Sequence, residues 1–284
     1  MAKNLRVTLT DGELRRLYLE QKMSLEDIGR LYGVSRVAVW KYCRDKRLIR
    51  RSRSEARLEA QKKGKVPQCY YDINEMFFEK WSTEMAYILG LIITDGCVSQ
   101  TGTVSLRIND RDLLEKVRQA MESEHRIRSY KHQKKLYGFQ FTREKMTDNL
   151  KRLGVLPKKS LTVDFPDIPD LFIVDFIRGV FDGDGSVFFE KRNPRSTLKT
   201  SFVSSSKKFI EKLEKKLQKL GMPPSMIYKQ KTKNTVSHMI RYANKDSIKF
   251  YNILYKNVPD NGLYLERKRD KYKQCMRKVG RNYE

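Results

Sequence analysis

The chain has 284 residues, of which 60 are Lys or Arg and 34 are Asp or Glu, so its formal net charge at pH 7 is +26. Because this imbalance is self-repulsive without a polyanion, we expect nucleic acid as the partner, with an anionic membrane surface as the weaker alternative. Four scattered cysteines without a Cys-x-x-Cys pair disfavour a zinc site, and no apolar stretch reaches membrane-spanning length.

Residues 1–50 are expected to form a small all-α DNA-binding domain. Ser24-Leu-Glu-Asp27 is a capping box that begins a helix, Gly33 lies in a tight turn, and Ser35 caps the next helix. The apolar spacing of Ile28, Leu31, Val34 and Val39 resembles the helix-turn-helix of many bacterial and phage proteins. The outward side of the last helix carries the residues that we expect to read the major groove, namely Arg36, Trp40, Lys41 and Arg44.

Residues 51–77 are expected to form a basic linker. Between residues 44 and 65 there are ten Lys or Arg against three Asp or Glu, with almost no large apolar side chains. Such a segment cannot build a core of its own. We expect it to connect two domains and to follow DNA phosphates.

From residue 83 onward the same order of elements is predicted twice. The first copy has helices at 83–95, 111–122 and 144–153, a hairpin around Thr101-Gly102, and strands at 103–109, 126–131 and 136–142. The second copy has helices at 170–184, 206–220, 245–255 and 263–277, and strands at 186–192, 197–204, 226–231 and 235–242. This duplication predicts an α+β fold of two pseudo-symmetric αββαββα repeats, each with helices on one face of an antiparallel sheet and the other face open.

Two segments at corresponding places in these repeats are nearly alike. They read Tyr87-Ile-Leu-Gly-Leu-Ile-Ile-Thr-Asp-Gly96 and Phe176-Ile-Arg-Gly-Val-Phe-Asp-Gly-Asp-Gly185. A carboxylate at a helix C-terminus is disfavoured by a few tenths to about 1 kcal/mol. Finding Asp95 and Asp184 there twice predicts a site for a cation. The glycines that follow, Gly96 and Gly185, are expected to be left-handed C-caps.

Small residues recur every fourth position along both segments. The two sets are Ala86, Gly90 and Thr94 in the first copy, and Asp175, Gly179 and Gly183 in the second. Each set forms a narrow ridge on one helical face, which lets two backbones approach closely. If the helices pack along these ridges, Asp95 and Asp184 meet at their common end.

These segments resemble the paired signature helices of the LAGLIDADG homing endonucleases, in the form with two repeats on one chain. The resemblance covers residues 78–278, with repeats at about 83–169 and 170–278. It implies that the two acids bind metal, that Gly90 and Gly179 pack the helices, and that the two sheets form a saddle in the DNA major groove. The chain departs from the motif at Ile93, Thr94, Arg178 and Phe181, and none of these departures touches the acids.

Paired carboxylates suit metal-dependent hydrolysis of a phosphodiester, because a bound cation offsets charge on the attacking and leaving oxygens. Mg²⁺ is the expected cofactor, with other divalent metals such as Mn²⁺ as alternatives. A general acid or charge stabiliser is expected to be a lysine or arginine, and the resemblance implies one such catalytic residue from each repeat near the metal. The candidates are Lys159 and Lys268, and their neighbours Lys158 and Arg267 are rivals.

The open faces of the two sheets are expected to contact double-stranded DNA. Basic, amide and aromatic residues on the predicted strands form a pool of contacts: Arg107, Asn109, Arg128, Lys131, Arg192, Lys199, Lys229, Lys231 and Arg241, with Tyr130, Tyr137 and Tyr228. The sequence alone does not fix which alternate residues point outward.

The leading interpretation is a monomeric, site-specific DNA endonuclease that cuts both strands of a long target. Two interpretations from other classes stay open: a DNA-binding regulator without cleavage, which would normally lack one or both acids, and an RNA-binding intron maturase. Because Met1-Ala2 and Tyr283-Glu284 are not splice-junction residues, we expect a free-standing or intron-encoded protein and not an intein. Without a signal-peptide core, we expect it in the cytoplasm, at the nucleoid.

Overall fold

A computed structural model of the protein describes residues 9–46, 51, 53–64, 71–130, 136–157, 163–191, 196–231 and 236–280. The chain divides into two compact units, residues 1–70 and residues 71–284. Within the described residues, no helix is both long enough and apolar enough to span a bilayer.

The first unit is built from short helices: α1 (Asp11–Arg15) with a π-helical turn at Arg16–Glu20, α2 (Leu25–Leu31), α3 (Arg36–Asp45) and α4 (Arg53–Lys62). Ser24 makes the predicted capping box with Asp27, and the Ser35 side chain caps α3. The core of this unit comprises Leu9, Leu14, Leu17, Tyr18, Ile28, Val39, Tyr42 and Cys43. Of the four residues with helix-turn-helix spacing, Ile28 and Val39 are in this core, whereas Leu31 is 62% exposed.

The first half of the second unit comprises α5 (Thr83–Asp95), β1 (Gly96–Val98), β2 (Thr103–Ile108), α6 (Arg111–Ala120), β3 (Arg128–Ser129), β4 (Tyr137–Thr142) and α7 (Glu144–Arg152). The second half comprises α8 (Ile173–Asp184), preceded by a 3₁₀ turn at Asp170–Phe172, then β5 (Ser186–Lys191), β6 (Ser196–Ser204), α9 (Lys207–Lys219), β7 (Tyr228–Lys231), β8 (Val236–Ala243), α10 (Asn244–Tyr255) and α11 (Glu266–Gly280). The predicted duplication of αββαββα repeats is confirmed.

Each repeat forms a four-stranded antiparallel sheet, in the order β1-β2-β4-β3 and β5-β6-β8-β7. One face of each sheet packs under helices, where alternate residues such as Leu106, Phe139, Phe202 and Ile240 are buried. Both repeats contribute to one hydrophobic core. The α+β architecture expected from the sequence is therefore the observed one.

Part of the segment predicted as linker packs with the second unit. Ile73 and Phe78 are buried in the large core. Arg143, at the start of α7, donates to the Tyr71 carbonyl at 2.8 Å and pairs with Glu75 at 2.9 Å. In addition, α4 gives the predicted linker a helix of ten residues. The second unit thus begins before residue 78.

Candidate active site

The helices α5 and α8 cross at two glycines with their backbones in contact. A Cβ placed on Gly90 would lie 2.5 Å from the Phe176 carbonyl oxygen and 2.7 Å from the Val180 nitrogen. A Cβ placed on Gly179 would lie 2.1 Å from the Tyr87 carbonyl oxygen. Only residues without a side chain allow this approach, so the crossing point is fixed by the two glycines.

Below the crossing, the small residues of the two ridges bring the C-termini of α5 and α8 together. A Cβ on Gly183 would lie 1.9 Å from Thr94 Oγ1 and 3.2 Å from Asp95 Oδ2. The cavity beside Asp95 is lined by Gly183 of the other helix, and the cavity beside Asp184 is lined by Thr94. Both aspartates are exposed, so two carboxylates face solvent at one common end of the helix pair.

The glycines that follow the acids were expected to be left-handed C-caps, and this prediction is wrong. Gly96 has φ −91° and Gly185 has φ −73°, both in extended conformations. Space is the reason for glycine here. A Cβ on Gly96 would lie 2.6 Å from Ile92 backbone atoms, and one on Gly185 would lie 2.1 Å from the Phe181 ring. The chain therefore turns sharply from each helix straight into a strand.

Lys268, predicted as a catalytic residue, lies buried under the end of α8. Its Nζ donates to the backbone carbonyls of Phe181, Asp182 (2.8 Å) and Gly183 (3.3 Å). Burial lowers the pKa of Lys268 to about 8, while the negative charges of Asp182, Asp95 and Asp184 oppose this shift. An ammonium that already donates to three carbonyls is placed to stabilise the negative end of the helix on which Asp184 sits.

A buried carboxylate, which the sequence analysis did not single out, links both repeats beneath the acids. Asp182 accepts hydrogen bonds from Tyr87 Oη (2.8 Å) on α5, Tyr255 Oη (2.5 Å) on α10 and the Leu265 amide (2.8 Å) before α11. Burial raises the pKa of Asp182, and Lys268 and the three donors oppose this rise. The sequence contains this acid in the run Asp182-Gly183-Asp184, but the sequence analysis assigned a role only to Asp184.

Arg178, a departure from the family motif, is also buried. Its guanidinium donates to the Leu263 carbonyl at 3.0 Å and the Leu254 carbonyl at 3.3 Å, and it pairs with Asp175 at 2.6 Å. These bonds tie α8 to α10 and to the segment that leads into α11. Arg178 is therefore a structural arginine, and Asp175 serves as its counter-ion.

The two exposed aspartates are suited to a hydrated divalent cation. The described residues contain no group of three or more His, Cys, Asp or Glu that could enclose a metal. Mg²⁺ does not need such a cage, because one or two carboxylates with waters and phosphate oxygens satisfy its octahedral preference. The donor set at the helix ends fits that mode of binding.

On the first sheet, strand register separates the pooled residues by face. Arg107 pairs with Gly138, as does Arg128. Arg107 alternates with the buried residues of β2, and Arg128 lies on the same face because both pair with Gly138. Both arginines are exposed. Asn109 is exposed and lines the cavity beside Asp95, as does Arg267. Tyr137 instead packs against the core, so it does not belong to the open face.

On the second sheet, two of the predicted contacts lie on the wrong face. Lys199 and Arg241 are on the open face, where Lys199 forms an ion pair with Glu190. Lys229 pairs with His238, which alternates with Met239 and shares its side with buried Ile240. Lys229 and Lys231 are therefore exposed on the helix side of the edge strand β7, because the actual register places Tyr228 and Gln230 on the open side.

In the first unit, Arg36, Lys41 and Arg44 are exposed on α3, and Trp40 is half-buried. The Arg44 guanidinium lies 5.3 Å from the centroid of the Trp40 ring and pairs with Asp45 at 3.0 Å. Three other predicted residues, Lys131, Lys159 and Arg192, lie outside the described residues, as does Lys158.

Comparison with known proteins identifies a family and a fold. The family model described as "LAGLIDADG-like domain" matches residues 82–159 and 172–254. A structure of the meganuclease I-SmaMI bound to uncleaveable DNA is 12% identical over 72% of this chain and 92% of that chain, with a TM-score of 0.50. A structure of I-DmoI with DNA and Mn is 16% identical over 62% of this chain and 98% of that chain, with a TM-score of 0.43. Among curated proteins, no sequence matches the chain.

Proposed function

The chain belongs to the LAGLIDADG-like domain family, and on that premise we propose that it is a site-specific DNA endonuclease. It makes a double-strand break at a long target by metal-dependent hydrolysis of one phosphodiester in each strand. It acts as a monomer, because its two repeats already provide the pseudo-twofold arrangement that two antiparallel strands require.

One observation carries this proposal: two exposed carboxylates lie at the common end of two helices whose backbones touch at Gly90 and Gly179. A carboxylate at a helix C-terminus is electrostatically unfavourable without a nearby cation. Asp95 and Asp184 each line a cavity that contains residues from both helices. One acid per repeat, related by the pseudo-symmetry, supports one cut per strand.

Asp95 and Asp184 would hold Mg²⁺ through their carboxylates. The bound ion would supply the positive charge that stabilises the attacking and leaving oxygens of the phosphodiester. The contribution of the protein is to hold the two carboxylates at a fixed separation, through the glycine crossing above and through the tight turns at Gly96 and Gly185 below.

Lys268 has a positioning role in this proposal, in place of the role of general acid or charge stabiliser expected from the sequence. Its hydrogen bonds go to backbone carbonyls at the end of α8, so it fixes the position of Gly183, the residue immediately before Asp184. Arg267 is the better placed cation for substrate, since it lines the cavity beside Asp95. For the first repeat, we propose Lys159 as the basic residue near the metal, as expected from the sequence.

DNA would lie along the open faces of the two sheets, with Arg107, Arg128, Lys199 and Arg241 among the contacts. The I-SmaMI structure, whose fold this chain shares, is bound to DNA. The net charge of +26 supports a polyanionic partner. The first unit would add a further contact through α3, where Arg36 and Lys41 are exposed.

The test is incubation of the full chain with a library of DNA targets, first in Mg²⁺ and then in Ca²⁺, followed by sequencing of cleaved ends and of bound DNA. We expect defined double-strand ends in Mg²⁺ and binding without cleavage in Ca²⁺. Asp184→Asn should yield no double-strand ends. The matched control is Asp148→Asn, which changes a half-buried aspartate paired with Lys151 on α7 and should cut like the wild type.

The same experiment separates the alternatives. Sequence-specific binding without ends in Mg²⁺ would identify a non-cleaving regulator. Absence of DNA selection, with retention of structured intron RNA added as competitor, would identify a maturase. Either result would overturn the endonuclease proposal.

A further inference from the structure

The registers of the two sheets place three outward-facing residues of each repeat in corresponding rows beside the acids. In the first sheet Cys97, two residues after Asp95, pairs with Ser105, and in the second sheet Ser186, two residues after Asp184, pairs with Ser201. Counting along the strands from these pairs gives two rows. The first acid-side row is Arg107, Gly138 and Arg128, and the second acid-side row is Val203, Met239 and Tyr228.

The rows correspond in position as well as in register. Arg107 lines the cavity that contains Asp95. Val203 lines the cavity that contains Asp184. Each row is therefore the part of its open sheet face that lies next to the proposed cleavage centre of its own repeat.

The first acid-side row presents arginine hydrogen-bond donors, and an aromatic ring packs against one of them. The Arg107 guanidinium lies 4.9 Å from the centroid of the Tyr130 ring. That ring covers Gly138, where a Cβ would lie 2.6 Å from it, so the absence of a side chain allows Tyr130 to lie over the strand. Arg107 and Arg128, which pair with Gly138 from its two neighbouring strands, are both exposed. A guanidinium fork matches O6 and N7 of guanine in the major groove.

The second acid-side row has no such fork. Val203 and Met239 are partly exposed, and Tyr228 is 47% exposed. Valine and methionine present apolar surface of the kind that contacts the C5-methyl group of thymine. The positive charge available for phosphate contact belongs to Arg241, which lies one outward-facing row further from the acid and whose guanidinium is 3.5 Å from the Met239 sulfur.

We infer that the two repeats read the base pairs nearest the cleavage centre with different chemistry. The first acid-side row selects guanine through Arg107 and Arg128, and the second acid-side row selects thymine through Val203 and Met239. The target is consequently asymmetric at its centre despite the pseudo-symmetric fold. This inference rests on the proposed binding of duplex DNA along the open sheet faces.

The test is selection of bound DNA from a randomised duplex library by the full chain in Ca²⁺. We expect a conserved guanine on one side of the centre and a conserved thymine on the other. In the selected target, replacing that thymine by deoxyuridine removes one methyl group and should weaken binding about fourfold, the equivalent of about 0.8 kcal/mol for a buried methylene-sized group. Replacing thymines elsewhere in the target should have no such effect.

Two variants assign the thymine to the second repeat. Val203→Arg gives this row the residue found at the corresponding place in the first row, and should change the selected base from thymine to guanine on that side only. Val203→Thr retains the shape but removes apolar surface, and should lessen the discrimination between thymine and deoxyuridine. The matched control is Lys229→Ala, which removes a charge from the helix side of the same sheet and should leave the selected sequence unchanged.

The outcomes separate this inference from the proposed function. Equal preferences on both sides, equal affinity for thymine and deoxyuridine, or an unchanged selection by a folded Val203→Arg variant would overturn the inference. Cleavage of the selected target in Mg²⁺ would at the same time uphold the endonuclease. Selection of the asymmetric sequence without cleavage would uphold the inference and overturn the nuclease.

Discussion

Replacing Gly179 by alanine is the most direct test of the helix pair. The new Cβ would lie 2.1 Å from the Tyr87 carbonyl oxygen and 2.9 Å from its carbonyl carbon, whereas ordinary contact begins at 3.4 Å. Both neighbours are backbone atoms, so no side chain can rotate away. The helices must therefore separate by about 1 Å at the crossing, and the apolar contacts on either side must loosen with it.

The expected cost follows from that displacement. Overpacking a tight core typically costs 1–3 kcal/mol, and for a domain of this size each kcal/mol lowers the melting temperature by about 2–4 °C. We expect the transition of the larger unit to fall by roughly 2–12 °C. Because a displacement of 1 Å can cost a factor of about 100 in rate, cleavage should fall more than the loss of folded protein explains.

Thermal unfolding followed by circular dichroism, with cleavage measured below the transition, provides both readouts. Gly12→Ala is the matched control, since a Cβ there has nothing within 4 Å and the position is helical. That change should be neutral or stabilise its own unit by about 0.4–1 kcal/mol. If Gly179→Ala melted and cut like the wild type, the backbone contact at the crossing would be refuted.

Three further predictions follow from the site. Asp95→Asn and Asp184→Asn should each abolish double-strand cleavage with nearly unchanged DNA affinity and equal or slightly higher stability, as repulsion between the acids falls; wild-type cutting by either would remove that acid from the active site. Between pH 8 and 10.5 the unfolded chain keeps the Lys268 proton, whereas the folded chain has released it. The unfolding free energy of the wild type should therefore rise with pH, relative to that of Lys268→Met, by up to about 3 kcal/mol. Parallel curves of unfolding free energy against pH, measured by denaturant titration, would contradict this. Deleting residues 1–60 should shorten the DNA footprint at one end only and reduce the salt dependence of binding, with cleavage retained at high protein concentration; identical footprints would mean that the first unit does not contact this DNA.

The fold could be predicted because the signals it depends on are local and occur twice. Helix 83–95 was predicted at its observed bounds, and the duplication predicted the two four-stranded antiparallel sheets. Register within each sheet could not be predicted in the same way. A shift of one residue moves every side chain to the other face, and β7 is an exposed edge strand without an apolar pattern to fix its phase. For this reason the pool of predicted DNA contacts included Lys229 and Lys231, which lie on the helix side of the sheet.

The acids were predictable from the sequence, and the network beneath them was not. Asp95 and Asp184 stand at fixed places in a repeated motif, so pattern alone finds them. Asp182 acquires its partners from residues that lie 73 to 95 positions away in the chain. In a chain with so many basic residues, a given lysine is expected to be exposed at the surface. The structure shows instead that Lys268 is only 6% exposed.

The buried network explains how the second acid is tolerated at the end of its helix. A carboxylate at that position adds to the negative end of the helix dipole, which disfavours it by up to about 1 kcal/mol. Lys268 offsets this by donating to the last carbonyls of α8, but a buried ammonium is itself unfavourable, as its lowered pKa indicates. Asp182 supplies the nearby negative charge that keeps the ammonium in place, and Tyr87, Tyr255 and the Leu265 amide satisfy that carboxylate in turn. Each group is stabilised by the next. Because Tyr87 belongs to the first repeat, the chain of contacts also holds the two helices together at the level of the acids. The first repeat has Ile93 at the place of Asp182, so this anchoring carboxylate is a property of the second repeat alone.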